Sequence, residues 1–181
     1  IIEIVILFFL SRKILTRVSG KLNMYFLAIL FLPGTTVHEF AHYLTAKLLF
    51  VPTKFPNLLP RKTEKGIILG SVLIAQTNPL KKTLIGIAPL ILGSLIIISI
   101  PQNSILSIFI MFEIGNTMFM SPEDLEGTKT VLLIFILSYI VLKLTGAKLI
   151  LPTTSYYFIA PIAIDLTLIA VSKLTKLISH P

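Results

Sequence analysis

The sequence predicts an all-α membrane protein: about six transmembrane helices, with a short membrane-edge β segment after the second of them. Three observations lead there. Hydrophobic residues make up 55% of the 181 positions and charged ones only 13%, against about 25% charged in ordinary soluble domains. The apolar residues come in long blocks, more than a soluble core of this size could bury. Prolines and basic residues punctuate the blocks at about the spacing that a bilayer demands.

The blocks follow in order. Ile1 to Leu10 is apolar and ends at Ser11, Arg12 and Lys13. It is short for a span of about 20 residues, unless Ile14, Leu15 and Val18 extend it or it continues upstream; Lys21 marks its boundary. The first residue is Ile rather than Met, and no small-residue cleavage site follows the run, so it is not read as a signal peptide. Leu22 to Phe50 is a long helical stretch in which Pro33 and Gly34 predict a kink or gap. Val51 to Pro79 changes character: Pro52, Pro56 and Pro60 precede the charged run Arg61, Lys62, Glu64 and Lys65. Gly66 to Gln76, rich in Ile and Val and too short to span as a helix, predicts a β-hairpin or strand pair. Further spans are expected at Thr83 to Ile100, containing Pro89, at Ile105 to Met120, at Pro122 to Leu144 behind the cap-like Ser121-Pro122, and at Thr153 to Val171, containing Pro161. There is no internal repeat and no low-complexity tail, so residues 1–181 read as one integral-membrane domain.

The net charge of +8 does not point to nucleic acid. The basic residues flank apolar blocks instead of forming a stripe among aromatics, and at membrane edges they meet anionic head groups. The absence of cysteine excludes disulfides and thiolate ligands, so a metal site must use nitrogen and oxygen donors.

Such a site is written in His38-Glu39-Phe40-Ala41-His42. Residues four apart share one helix face, so both imidazoles can reach a single ion. Glu39 flanks that ion, where a carboxylate can take a proton from metal-bound water. Ionisable groups inside a membrane helix are costly and functional by default; the plainer alternative is a His pair that ties neighbouring helices together. The remaining histidine, His180, reads as a solvated tail residue.

A catalytic zinc usually has three protein ligands and one open position. With neither a cysteine nor a third membrane histidine, the third ligand must be a carboxylate, and Glu113, Glu123, Asp124, Glu126 and Asp165 are candidates. An H-E-x-x-H on a membrane helix followed by Asn116-Thr-Met-Phe-Met-Ser-Pro-Glu-Asp124 resembles the site-2 protease family of intramembrane zinc metalloproteases, whose second motif is N-x-x-P-x-x-x-x-D-G. The Asn-to-Asp spacing is kept, while Phe119 and Leu125 stand where the family has Pro and Gly. The resemblance covers about residues 33–127, and the segment from Val51 to Gln76 is similar in position to that family's membrane-edge β element. It implies zinc held by His38, His42 and Asp124, catalysis by Glu39, and an oxyanion contact from Asn116.

Each of these residues also has a structural reading. Ser121-Pro122-Glu123-Asp124 is a good helix start, with Asp124 as the capping acid. Asn116 can bond helix to helix. Glu113 and Asp165 can orient a ligand histidine or simply be buried acids. Gly86-Ile-Ala-Pro-Leu suits close helix packing.

Alternation of six helices puts Arg12, Lys13, Arg17, Lys21, Lys143 and Lys148 on one side and nine basic residues on the other. The His motif lies nearer the second side, which the positive-inside rule makes cytoplasmic. The expectation is a multi-pass intramembrane zinc metalloprotease that cuts membrane-anchored protein segments, with Glu39 activating a zinc-bound water. The partners are then lipid and a membrane-anchored protein substrate, and not nucleic acid. A substrate helix must unwind and bind extended, against the edge strand within Gly66 to Gln76. The competing classes are a metal-binding membrane transporter and a non-catalytic membrane scaffold.

Overall fold

The computed structural model describes residues 2–19, 23–64, 66–101, 103–119, 121, 124, 137 and 157–178. Over these residues the chain is mostly helical with one small sheet: α1 (Ile2–Ser19), α2 (Met24–Leu30), α3 (Leu32–Leu48), β1 (Arg61–Thr63), β2 (Gly66–Ile68), α4 (Pro79–Ser99), α5 (Ile105–Thr117) and α6 (Ile159–Ile178). The expected span from Pro122 to Leu144 falls almost wholly outside them.

Local chemistry sets the helix boundaries. Asn78 caps α4 by accepting a hydrogen bond from the Lys81 amide at 2.8 Å, and Pro79 follows in the first turn, where its missing N–H costs nothing. Ser104 caps α5 through the Ser107 amide at 3.0 Å. Pro89 sits inside α4 without ending it. The break expected at Pro33 and Gly34 occurs instead at Phe31, where α2 and α3 meet at a bend of 75°. Pro33 is absorbed into the first turn of α3, the one place in a helix where proline is welcome.

Helix α5 is central. It packs against α1, α3, α4 and α6, and the main apolar cluster joins Leu7 of α1, Ile97 of α4, Met111 and Ile114 of α5, Met118 and Phe158. Gly34 brings α3 onto α5 so closely that a methyl group there would lie 2.6 Å from the Glu113 carbonyl oxygen. Small residues permit this approach between helices.

By length and composition, one described helix, Pro79–Ser99, can cross a bilayer; the bent pair α2–α3 makes a second if it counts as one span. The expectation of six is therefore corrected over the described residues. Helix α5, at 13 residues, rises only about 20 Å, and α1 carries Arg12, Lys13 and Arg17 within its length.

The expected strand pair is present, and it begins earlier than Gly66. Strands β1 and β2 are antiparallel, with Arg61 opposite Ile68 and Thr63 opposite Gly66, around a turn in which Gly66 has φ 132°. Pairing continues outward at Asn57 with Ser71 and Thr53 with Ile74. Each step out takes four residues on the first strand and three on the second. Pro56 falls within one four-residue step and Pro60 within the other, as expected of bulges at residues that have no N–H to give the ladder. The result is an irregular ribbon over residues 52–75.

Candidate metal centre

Helix α3 presents His38 and His42 on one face, as the i, i+4 spacing requires, with their Nε2 atoms 3.1 Å apart. Asp124 arrives from beyond α5. Its Oδ1 lies 3.4 Å from His42 Nε2 and its Oδ2 lies 3.9 Å from His38 Nε2. One nitrogen from each histidine and one Asp124 oxygen form a triangle with no side above 4.8 Å. Tetrahedral ligands at about 2.1 Å from zinc lie about 3.4 Å from one another, so the donor set and its spacing fit such an ion.

The tautomer of His42 supports this. Its Nδ1 lies 2.8 Å from the Ile85 carbonyl oxygen. A carbonyl only accepts, so Nδ1 carries a proton, and in the neutral ring Nε2 then turns its lone pair toward the other donors. Metal-ligating histidines are commonly oriented in this way. Ile85 belongs to α4, so the packing of α4 on α3 sets the ring of a candidate ligand. Gly86 completes that contact: a Cβ there would sit 2.5 Å from the Asp124 backbone oxygen, so only glycine lets α4 approach the segment that carries Asp124.

Asp124 serves two roles at once. Its Oδ2 accepts the Ser121 amide at 2.7 Å, and its own amide donates to Ser121 Oγ at 3.1 Å. This reciprocal pair is a capping box. Oδ1 faces His42. Cap and candidate ligand, alternatives on sequence grounds, use different oxygens of one carboxylate. Of the other third-ligand candidates, Glu123 and Glu126 lie outside the described residues. Glu113 and Asp165 are fully buried, and neither joins the triangle.

Glu39 is buried beside the His pair. It lines a cavity of about 210 Å³ together with His38, Thr35, Asn116, Gly70 and Arg12. A second cavity of about 450 Å³ lies on the Asp124 side, bounded by Ile74, Gln76, Thr77, Lys82 and Gly86. The donor triangle thus stands between two hollows, and the ribbon borders both.

Asn116 does not take the expected oxyanion role in this geometry. Its Nδ2 donates to the Phe112 carbonyl at 3.0 Å and to Asp165 Oδ1 at 3.0 Å, which uses both of its hydrogens. The helix-to-helix bond, from α5 to α6, is the role observed. Asp165 is engaged there and does not orient a ligand histidine, and neither Glu113 oxygen has a hydrogen-bond partner among the described residues.

Sequence reasoning missed three contributors. The Ile85 carbonyl carries no side-chain signal. Gly70 packs on Glu39 from the ribbon. Arg12, expected at the far membrane edge, lines the Glu39 cavity instead, because α1 packs along α5 and brings its middle to that depth. In comparisons with known proteins, no family model, no curated protein and no solved structure matches the chain.

Proposed function

We propose that the chain is an intramembrane zinc metalloprotease that hydrolyses peptide bonds in membrane-anchored protein segments. The observation that carries this reading is the convergence of His38 Nε2, His42 Nε2 and an Asp124 carboxylate oxygen, with Glu39 one residue from a candidate ligand and lining the same cavity. Three ligands leave a fourth position open, the pattern of a catalytic site rather than a structural one. Bound there, zinc supplies Lewis acidity, which makes water acidic near neutral pH and polarises a carbonyl.

The remaining work falls to the chain's own groups. Glu39 accepts the proton of the attacking water on its carboxylate and returns it to the leaving amine nitrogen. Ile85 keeps His42 in one tautomer. The substrate binds as an extended segment, because a helix has its carbonyls engaged. The ribbon supplies an edge for it. Ser71 exchanges both backbone bonds with Asn57, at 2.9 and 2.8 Å, so the backbone groups of its neighbours, Gly70 and Val72, point to the opposite edge. The apolar exteriors of α4 and the bent pair are the surfaces that meet lipid in this reading.

The test is metal analysis of the purified protein paired with cleavage of a membrane-embedded peptide. After zinc loading, wild type holds about one zinc per chain and cleaves. E39Q holds the same zinc and cleaves about 10²–10⁴-fold more slowly. A wild type that takes up no zinc sinks the metal assignment. Equal cleavage by E39Q sinks the protease assignment, and zinc movement across liposomes without cleavage makes the chain a transporter.

A further inference from the structure

The ribbon comes against Glu39 at a glycine, Gly70. A Cβ on Gly70 would lie 2.8 Å from Glu39 Cγ, 2.8 Å from Thr35 Cγ2 and 3.0 Å from Glu39 Oε1. Real Cβ atoms essentially never approach heavy atoms within 3.0 Å. The restriction is one of space and not of dihedral angle: Gly66 at the turn has positive φ and open surroundings, whereas Gly70 has neither. Glu39 cannot easily yield. It is 8% exposed, on a helix packed against both α4 and α5, with Thr35 one turn before it pressed against the same point.

We propose that Gly70 is a positioning residue: its missing side chain lets the ribbon close over Glu39 and hold that carboxylate between the ribbon and α3. The proposal rests on the protease reading for its kinetic consequence, but not for its structural one. The ribbon forms one wall of the Glu39 cavity through Leu69 and Gly70. Anything that lifts it changes both where the Glu39 oxygens sit and how open they are to water. Catalysis is steep in such placement, and an error of about 1 Å can cost about 10²-fold.

The chain has no cysteine, so E39C creates a unique thiol at the point in question. Its reaction with a membrane-impermeant maleimide, in detergent-solubilised protein, reports how tightly the ribbon covers position 39. The G70A change in the E39C background should raise that rate about tenfold. T63A, which removes a 2.9 Å side-chain bond to the Gly66 carbonyl at the ribbon tip, should leave it unchanged. In the chain with Glu39 intact, G70A should keep zinc at the wild-type level and lower kcat about 10²-fold with little change in KM.

An unchanged labelling rate in G70A/E39C overturns the proposal, as does a rate raised equally by T63A. So does a G70A protein with normal kcat and raised KM, which would make Gly70 a substrate contact only. If G70A loses zinc, the glycine supports the whole site rather than Glu39, and the proposal fails. If wild type cleaves nothing, the protease reading fails, and the labelling comparison still decides the placement of Gly70.

Discussion

Two buried polar clusters lie close together in this molecule. In one, His38, His42 and Asp124 turn one donor atom each toward a common point, all within 4.8 Å of one another. In the other, Asn116 of α5 and Asp165 of α6 are bonded to each other and almost fully buried, and Glu113, three residues before Asn116 on α5, is fully buried too. There one bond joins two side chains, Asn116 to Asp165, and both Glu113 carboxylate oxygens, Asn116 Oδ1 and Asp165 Oδ2 are left without hydrogen bonds among the described residues. Both clusters contain acids that a reader of the sequence could assign to a metal. Convergence separates them: the first makes a point at which a cation fits, and the second makes a pairwise link between helices.

The sharpest way to break that comparison is to remove one member of each. H42A should drop zinc from about one per chain to none, and D124N should do nearly the same, because a neutral amide is a poor ligand. N116A should keep zinc at the wild-type level. Elemental analysis of protein purified in parallel reads all three, and loss of zinc in N116A as in H42A would merge the two clusters into one site.

A subtler break acts through α4. G86A places a methyl group where the Asp124 backbone oxygen stands. It should weaken zinc about 10–100-fold, the range seen when supports around a ligand are disturbed, while α4 itself stays helical. Competition with a chelator of known affinity measures it, and wild-type affinity would show that Asp124 does not depend on the α4 contact.

Smaller effects sharpen the contrast within Asp124 and the second cluster. S121A removes the acceptor of the Asp124 amide and should cost about 0.5–2 kcal/mol of stability while sparing zinc, because the Ser121 amide still holds Oδ2. D165A removes one of the two acceptors of Asn116 Nδ2 and should cost about 0.5–1.5 kcal/mol, the usual net worth of one hydrogen bond. Denaturant titration in detergent reads both, and a zinc loss in either would contradict the division of roles drawn here.

What the sequence revealed and what it hid follow the same division. His38, Glu39 and His42 were legible because a helix repeats every 3.6 residues, so spacing alone determines a face. The shortage of other donors left five acids open, and only the resemblance of the Asn116-to-Asp124 stretch to a family motif singled out Asp124. That Asn116 can bond helix to helix was legible, but its partner was not: Asp165 lies 49 residues away, and nothing local announces such a bond. Ile85 acts through a backbone oxygen that every residue possesses. Gly70 acts by what it lacks, and a glycine that clears space for a distant residue looks like any other; Gly86 was legible as a packing glycine, but not that Asp124 is what it makes room for. Arg12 was assigned by counting membrane edges, a method blind to which helices pack at which depth. The break at Phe31 was misplaced because proline was read as a breaker wherever it fell, although a first helical turn accepts it.

The unequal strides of the ribbon have a bearing on how copies of this chain meet. Its outer strand carries Pro52, Pro56 and Pro60, none of which has an N–H to offer a newcomer, and two bulges keep that strand from lying flat. Such an edge resists zipping onto the same edge of a neighbouring molecule. The ribbon therefore offers ladder bonds on one flank only, the flank that runs past Gly70 toward Glu39, and its other flank keeps crowded copies from zipping together.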